Sequence, residues 1–169
     1  MEIERKYLVR HLPQNLDAFA YHDIEQAYIW TDPVIRIRRQ DDAYILTCKG
    51  EGMLSREECN LPMSRTAYEA LLLKTAGARI SKRRCLIPLS EKLTAELDIF
   101  SGDHAGLVMV EVEFPDEESA NSFIPPEWFG DDVTFDPCYH NSWLSTHPGV
   151  PKTKGPEPAS EQNRSFRPV

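Results

Sequence analysis

Cysteine is scarce in this sequence, and no two cysteines form a paired C-x-x-C motif. The four that occur, Cys48, Cys59, Cys85 and Cys138, are widely spaced along the 169 residues. Disulfide-rich secreted domains and zinc knuckles both depend on closely paired cysteines, so neither class is indicated. We therefore expect buried or half-exposed thiols at these positions.

Ligand-like groups of histidine are also absent. The five histidines, His11, His22, His104, His140 and His147, show no close pairing with one another or with cysteine. Because structural and catalytic zinc sites are built from such ligands, a zinc centre is not expected. Surface or capping roles are the expectation for these side chains.

Long apolar runs and a surplus of basic residues are missing as well. No stretch approaches the roughly 20 apolar residues of a membrane span, and charge begins at residue 2, unlike a secretion signal. We expect a cytoplasmic protein with no membrane partner, present as a monomer or homodimer. The net charge of -8 argues against non-specific nucleic-acid binding. A local group of cations could still hold a small polyanion.

What the sequence does contain is charge at alternating positions in seven short segments. Residues two apart on a strand point to the same side of a sheet. The acids placed in this way are Glu2, Glu4, Glu58, Glu96, Asp98, Glu111 and Glu113. The bases are Lys6, Arg36, Arg38, Lys49, Arg56, Lys82 and Arg84. Any single segment could be a solvated strand face, but folding alone does not require like charges two apart on several strands.

Eight strands separated by turn residues are predicted, and most links are too short for parallel crossovers. The strands span residues 2–10, 25–30, 34–40, 43–49, 56–61, 79–87, 94–100 and 107–114. The predicted fold class is α+β, mainly β: a closed eight-stranded antiparallel barrel with a few flanking helices. Closure removes exposed edges, and a barrel of about eight strands holds one small ligand. A charged interior of this kind must contain water and ions.

Three helices are predicted beside the strands. The first spans 66–76, with Thr66 as its cap and Gly77 as its terminator. The second starts after Asp116 and ends near residue 124, before a proline. The third opens at Asp136, which precedes a proline, and presents an apolar pair at residues 143–144.

The final 22 residues differ in character from the rest. Residues 148–169 contain five prolines and scattered polar residues, too little apolar surface to order themselves. We expect one domain over residues 1–147, followed by a flexible proline-rich tail.

The charges on the predicted interior face cancel one another, so a polyanion would need accompanying cations. A triphosphate carries about four to five negative charges, which two divalent metals would nearly offset. Mg²⁺ prefers oxygen ligands, with few protein carboxylates and several substrate phosphates. Glu2, Glu4, Glu111 and Glu113 fit that description.

These motifs resemble the CYTH superfamily, also called the triphosphate tunnel metalloenzymes. Residues 2–6, Glu-Ile-Glu-Arg-Lys, match the E-x-E-x-K signature of the family at the expected place. The ordered set continues with Gln26-Ala27-Tyr28, Arg36-Ile37-Arg38, Thr47-Cys48-Lys49, Lys82-Arg83-Arg84, Glu96-Leu97-Asp98 and Glu111-Val112-Glu113. The resemblance covers about residues 1–147, including the closing stretch from Asp136 to Leu144. It implies a closed eight-stranded tunnel that hydrolyses or cyclises triphosphate compounds with Mg²⁺ or Mn²⁺.

The resemblance also implies a role for each charged position. Glu2, Glu4, Glu111 and Glu113 would be the main metal ligands. The substrate phosphates would be held by Arg36, Arg38, Lys49, Arg56, Lys82 and Arg84. Lys6 would bind substrate and neutralise charge at the reacting phosphoryl group, while Glu58 and Asp98 would assist catalysis by orienting basic residues or a metal-bound water.

One residue departs from the family pattern. Small members often carry two acids two apart on the fifth strand, and here the second is Asn60, which keeps an acceptor oxygen but has no charge. The expected function is metal-dependent hydrolysis of inorganic tripolyphosphate to orthophosphate and a shortened chain. Adenylate cyclisation, hydrolysis of thiamine or nucleoside triphosphates, and polyphosphate binding without cleavage stay open as alternatives.

Overall fold

The computed structural model describes residues 1–152. Most of the predicted tail, residues 153–169, lies outside the described part of the chain. No helix between residues 1 and 152 has both the length and the apolar character needed to cross a membrane.

Within residues 1–152, ten strands pair in antiparallel fashion to form the body of the protein. They are β1 (Glu2–Val9), β2 (Tyr21–Thr31), β3 (Val34–Gln40), β4 (Ala43–Lys49), β5 (Ser55–Arg56), β6 (Glu58–Pro62), β7 (Ala76–Pro88), β8 (Thr94–Ser101), β9 (Val108–Glu113) and β10 (Phe129–Asp132). Their spatial order is β10-β1-β9-β8-β7-β2-β3-β4-β6, and β5 pairs with β1. The alternating segments therefore all form strands, as predicted.

A short segment closes the sheet on itself. β5 and β6 are separated by a single residue; β5 pairs with β1 at Glu2 and Ile3, while β6 pairs with β4. Together, β5 and β6 take the eighth strand position around the barrel, between β4 and β1. The predicted mainly β barrel is therefore confirmed. The described part of the chain has ten strands instead of eight because the predicted strand 56–61 is divided and β10 was not expected.

β10 pairs with β1 at Tyr7 and Val9, along the same edge that β5 uses near Glu2. Its sequence, Phe-Gly-Asp-Asp, lacks alternation and contains residues that are depleted in strands. Gly130 also allows a close approach, because a Cβ there would lie 3.1 Å from the backbone of Leu8. This strand therefore forms because it pairs with β1 in the folded protein, and the β propensity of its own residues does not predict it.

The first predicted helix is shorter and starts earlier than expected. α1 (Arg65–Leu72) is capped by Ser64, whose hydroxyl accepts from the Ala67 backbone N–H at 3.1 Å. The predicted cap at Thr66 is therefore wrong. Gly77 does not end the helix either. It lies in β7 with φ of +76°, next to Ala78, whose N–H donates to the Ser145 carbonyl at 2.7 Å.

The other two helical predictions are largely confirmed. Asp116 caps α2 (Glu117–Ser122) by accepting from Ser119. Asp136 caps a 3₁₀ turn at Pro137–Tyr139, and α3 (Asn141–Leu144) follows. Further 3₁₀ turns span Leu16–Ala18 and Gly102–His104.

Apolar side chains cover the outside of the barrel and fill one end of its interior. Outside, Tyr68 of α1 packs on β2 and β3, and a larger cluster around Leu97 and Val110 covers the other side. Inside, Ile80 and Met109 share the faces of the charged residues on their strands and join a cluster that includes Leu144. The interior of the barrel is therefore polar at the end near Glu2 and filled by apolar side chains at the other end. Its charged space, as formed by residues 1–152, opens at one end of the barrel only.

Candidate functional site

The polar end of the barrel encloses a cavity of about 150 Å³. The predicted charged residues line it, with the exception of Lys82 and Asp98, which are fully buried behind Arg84. The lining charges are Glu2, Glu4, Lys6, Arg36, Arg38, Lys49, Arg56, Glu58, Arg84, Glu96, Glu111 and Glu113. The expectation that alternating charges converge on an enclosed space, instead of facing bulk solvent, is confirmed.

Acids on β1 and β9 form one wall of this cavity. Glu4 is directly opposite Glu113, and Lys6 is directly opposite Glu111. Lys6 Nζ lies 2.8 Å from Glu4 Oε1 and 2.6 Å from Glu111 Oε1. Burial alone would lower the pKa of Lys6, but the Glu111 and Glu4 carboxylates raise it above its usual value. Lys6 is therefore a permanent cation held between two acids.

Glu113 has no ion-pair partner within residues 1–152. Burial raises its pKa, and the neighbouring carboxylates of Glu2, Glu96 and Glu4 raise it further. Negative charge therefore exceeds positive charge at this part of the wall, and an added cation would relieve the repulsion.

A buried network joins this wall to β7 and β8. Arg84 donates to Asp98 from two nitrogens, each at 2.7 Å, and to Glu111 at 2.5 Å. It also pairs with Glu96. Lys82 pairs with Asp98, and its pKa is lowered to about 8 by burial and then by the Arg84 cation. Asp98 thus fixes the positions of both basic side chains.

Two arginines on β3 contrast with Arg84. Arg36 is buried and donates to the Thr47 hydroxyl at 3.0 Å, and its Nε atom has no hydrogen-bond partner among residues 1–152. Arg38 donates from two nitrogens to Gln26 Oε1, at 3.3 and 3.1 Å. Neither arginine makes an ion pair with any residue from 1 to 152. Burial, followed by the Arg36 and Arg84 cations, lowers the pKa of Arg38 to about 9, so it stays charged at neutral pH.

Residues from β4, β5 and β6 surround the closure point. Lys49 Nζ lies 2.6 Å from Glu2 and 2.7 Å from Glu58, while Arg56 contacts Glu2 at 3.0 Å and Glu4 at 3.2 Å. Although burial acts in the opposite direction, the hydrogen bond and charge of Lys49 lower the pKa of Glu58 to about 2.

Asn60 links the closure point to β3. Its Oδ1 accepts from Thr47 at 2.7 Å, and its Nδ2 donates to Glu58 at 2.5 Å. The same Thr47 hydroxyl accepts from Arg36. Asn60, the residue that departs from the family pattern, is therefore connected to Arg36 of the cavity through the Thr47 hydroxyl.

The C-terminal part of the described chain also reaches the cavity. His140, Asn141 and Ser142 line it, together with Tyr28 of β2. His140 is buried, and its Nε2 donates to the Thr134 carbonyl at 3.0 Å, so the expected surface role is wrong. It does occupy the N-cap position of α3, although its side chain makes no capping hydrogen bond there. This stretch has no charge alternation, and its likeness to the end of small family members was the one signal that pointed to it.

Two other expectations about side chains are wrong in part. His104 is fully buried and bonds the Leu144 carbonyl at 2.9 Å. Cys48 and Cys59 are exposed, whereas Cys85 is buried and Cys138 half-buried.

Oxygen ligands for a divalent metal are present, but the acids do not form a ready site. No three His, Cys, Asp or Glu side chains of the described residues converge on one point as metal ligands. Lys6 and Arg56 contact oxygens of Glu2, Glu4 and Glu111 instead. The donor set still fits a hard cation, because it consists of carboxylates and because Glu113 adds uncompensated negative charge.

Comparison with known proteins gives relatives of similar length. A family model described as the CYTH domain matches residues 1–121. An inorganic triphosphatase of Nitrosomonas europaea is 41% identical over 148 residues, which cover 85% of this chain and 96% of the relative. Another, of Acetivibrio thermocellus, is 30% identical over 156 residues, or 87% and 94% of the two chains.

A solved structure has the same fold. The crystal structure of the inorganic triphosphatase NE1496 aligns with a TM-score of 0.64 at 37% identity. The alignment covers 86% of this chain and 94% of that one. With a family model that spans most of the sequence and two relatives that match nearly end to end, the chain belongs to the CYTH domain family.

Proposed function

We propose that this protein is a divalent-metal-dependent triphosphatase that hydrolyses inorganic tripolyphosphate to orthophosphate and a shortened chain. The observation that carries the proposal is the pair of enclosed arginines, Arg36 and Arg38, neither of which has a carboxylate partner within residues 1–152. Its relatives from Nitrosomonas europaea and Acetivibrio thermocellus are inorganic triphosphatases.

Unpaired arginines in a cavity favour an anionic guest. Leaving a buried cation without a partner is costly, and phosphate oxygens match the forked donors of a guanidinium. In the order of strands around the barrel, β3 lies across the bore from β9. Both arginines of β3 therefore face the wall that carries the acids of β1 and β9. A phosphate chain between them would contact arginines on one side and metal ions on the other.

We propose Glu2, Glu4, Glu111 and Glu113 as the residues that hold the metal, Mg²⁺ or Mn²⁺. When bound, such an ion supplies positive charge to phosphate oxygens and lowers the pKa of a coordinated water. Glu113 is the acid on this wall whose charge the protein leaves least compensated, which supports its assignment as a ligand.

The other predicted residues would bind or position the reacting groups. Lys6, a cation between Glu4 and Glu111, would neutralise charge that develops at the reacting phosphoryl group. Asp98 would hold Arg84 and Lys82 in place, and Glu58 would hold Lys49. Lys49, Arg56 and Arg84 complete the proposed phosphate contacts. Lys82, which was predicted to bind phosphate, does not line the cavity and would instead support Arg84 through their shared partner Asp98.

The shape and lining of the cavity favour an inorganic substrate. The lining is almost wholly polar, and the opposite end of the bore is filled by apolar side chains such as Ile80 and Met109. A thiamine or nucleoside group could not pass beyond the phosphates and would have to remain at the mouth. Tripolyphosphate carries no such group, so the charged lining could contact it along its whole length.

The test is a substrate panel with a matched pair of variants. We expect Mg²⁺-dependent phosphate release from tripolyphosphate, abolished by a chelator, and little from ATP or thiamine triphosphate. Arg38→Ala should lower kcat/KM by about 10- to 100-fold, since a hydrogen bond to a charged group is lost. Arg39→Ala removes an exposed arginine of the same strand and should have no effect.

Each alternative has its own result. Tight binding of tripolyphosphate without phosphate release would identify a binding module. Formation of cyclic AMP from ATP would identify a cyclase. Equal activity of the Arg38→Ala and Arg39→Ala variants would contradict the proposed phosphate site.

A further inference from the structure

Two exposed cysteines lie directly opposite each other on the outside of the barrel. Cys48 of β4 and Cys59 of β6 are cross-strand partners, and both are exposed. The inner pairs on either side fix this register: Thr47 donates to Asn60 at 2.7 Å, and Lys49 pairs with Glu58 at 2.7 Å. Because side chains alternate along a strand, both thiols point outward from these inner contacts.

The register of β4 and β6 places the two cysteines close enough for a small shift to bring their thiols together. In this register, Gly50 N–H donates to the Glu57 carbonyl at 2.9 Å beyond one end of the ladder, and Met63 N–H donates to the Tyr44 carbonyl at 2.9 Å beyond the other. Hydrogen-bonded pairs alternate with open pairs in an antiparallel ladder, so Cys48 and Cys59 form a hydrogen-bonded pair. Such pairs have Cα atoms about 5.5 Å apart, within the range of about 4.4–6.8 Å that disulfides span. Their Cβ atoms lie toward the wide end of about 4.5–5.5 Å, so bond formation requires the two Cβ atoms to approach by about 1 Å, and such a strained bond is easily reduced.

We propose that Cys48 and Cys59 form a dithiol site that low-molecular-weight disulfides oxidise reversibly to a cross-strand disulfide. One protein thiolate attacks a sulfur of the small disulfide, breaking its S–S bond, forming a mixed disulfide and releasing one small thiol. The second protein thiolate then attacks the protein sulfur of that mixed disulfide and displaces the second small thiol. Two protein thiols lose two electrons and two protons, and the small disulfide is reduced to two thiols.

The location gives this bond a structural consequence. β6 pairs with β4, and β5 pairs with β1 through two residue pairs only. A Cys48–Cys59 bond would tie the closing segment to the body of the barrel without touching a cavity side chain. By restricting the loop between the two strands in the unfolded chain, it should raise the melting temperature.

The experiment uses the full chain and oxidised glutathione as the probe. The expected product has the mass of the protein minus two hydrogen atoms, contains a linked Cys48–Cys59 peptide, and reverts with dithiothreitol. Its Tm should be about 5 °C above that of the reduced protein. Cys48→Ser and Cys59→Ser should each retain one glutathione on the remaining thiol, with no linked peptide and no rise in Tm.

Cys138→Ser is the matched control and should form the Cys48–Cys59 bond as the unaltered protein does. Glutathione retained on both Cys48 and Cys59, a disulfide between two copies of the chain, or no reaction at either thiol would overturn the proposal. Because the readouts are mass, peptide linkage and melting temperature, the result does not depend on triphosphatase activity.

Discussion

Lys6 and Glu111 are direct partners on β1 and β9, and Lys6 Nζ lies 2.6 Å from Glu111 Oε1. The same ammonium lies 2.8 Å from Glu4 Oε1. A single buried cation therefore binds two of the four acids that we propose as metal ligands. The cation and a divalent metal compete for the same carboxylate oxygens, and this competition can be measured.

Lys6→Met should lower the free energy of unfolding by about 2 kcal/mol, because two buried carboxylates each lose one of their two cationic partners among residues 1–152. Glu4 keeps Arg56, and Glu111 keeps Arg84. We expect Mg²⁺ to restore more stability to this variant than it adds to the unaltered protein, since the metal takes over the freed oxygens. Urea unfolding with and without Mg²⁺ measures both effects.

Arg5→Met is the control for that comparison. Arg5 precedes Lys6 but points outward, where it contacts Asp132 at 2.5 Å. Its loss should give a change in stability that Mg²⁺ does not alter. If Mg²⁺ stabilised Lys6→Met and the unaltered protein by the same amount, the placement of the metal at Glu4 and Glu111 would be contradicted.

Asn60→Asp should weaken the binding of tripolyphosphate. Asn60 accepts a hydrogen bond from Thr47, which in turn accepts from Arg36, so a carboxylate here would partly neutralise a proposed phosphate-binding arginine. We expect KM to rise about fivefold, on the order of 1 kcal/mol, with a smaller change in kcat. Asn60→Ala removes the hydrogen bonds without adding charge and should raise KM less. An equal rise in both variants would assign the effect to the hydrogen bonds instead of the charge.

The composition of the cavity could be predicted because the signal is periodic. Glu111 and Glu113 alternate with valines along β9. When the valines pack in the apolar layer outside the barrel, the two glutamates must point into the bore, because neighbouring residues of a strand face opposite sides of the sheet. The same rule places Arg36 and Arg38 on the inner face of β3. Which acid neutralises which base depends on distances between strands that are far apart in sequence, so the lack of a partner for either arginine could not be foreseen.

Features set by tertiary contacts were missed for the same reason. His140 enters the cavity because the chain after β10 folds across the end of the barrel, and its own sequence context is an unpatterned turn. Gly77 looks like a helix terminator, yet the last residues of α1 are followed by a strand that pairs with β2 and contacts Ser145. Local signals identified a special backbone conformation at Gly77 but assigned it to the wrong element.

Glu58→Gln should reduce the loss of folding stability that the protein undergoes as the pH falls below about 4.5. The pKa of Glu58 is lowered to about 2 from 4.5, because the contacts with Lys49 outweigh burial. A lowered carboxyl pKa stabilises the folded state above the unfolded value, and that stability is lost as the pH falls from about 4.5 toward about 2. The contribution at neutral pH is on the order of 2 kcal/mol.

Urea unfolding at a series of pH values from neutral to about 3 measures this contribution. The difference between the unaltered protein and Glu58→Gln should be largest at neutral pH and should shrink below about pH 4.5. Glu57→Gln, at the exposed neighbouring position, should leave the profile unchanged. A constant difference at every pH would show that the ion pair with Lys49 is not its source.

Gly77→Ala should destabilise the protein by more than the ordinary cost of a positive φ. Gly77 has φ of +76°, and a Cβ there would lie 2.3 Å from the Ser145 carbonyl oxygen, too close without a shift of the backbone. Gly102 provides the comparison: its φ is +63°, and no atom of residues 1–152 lies within 4 Å of an added Cβ. We expect Gly102→Ala to cost about 1 kcal/mol and Gly77→Ala at least about 2 kcal/mol, measured by urea unfolding.

The excess comes from pushing the end of α3 away from β7, so hydrogen exchange at Ala78, which donates to Ser145, should accelerate in Gly77→Ala alone. Equal costs for the two variants would mean that the contact with Ser145 yields without penalty.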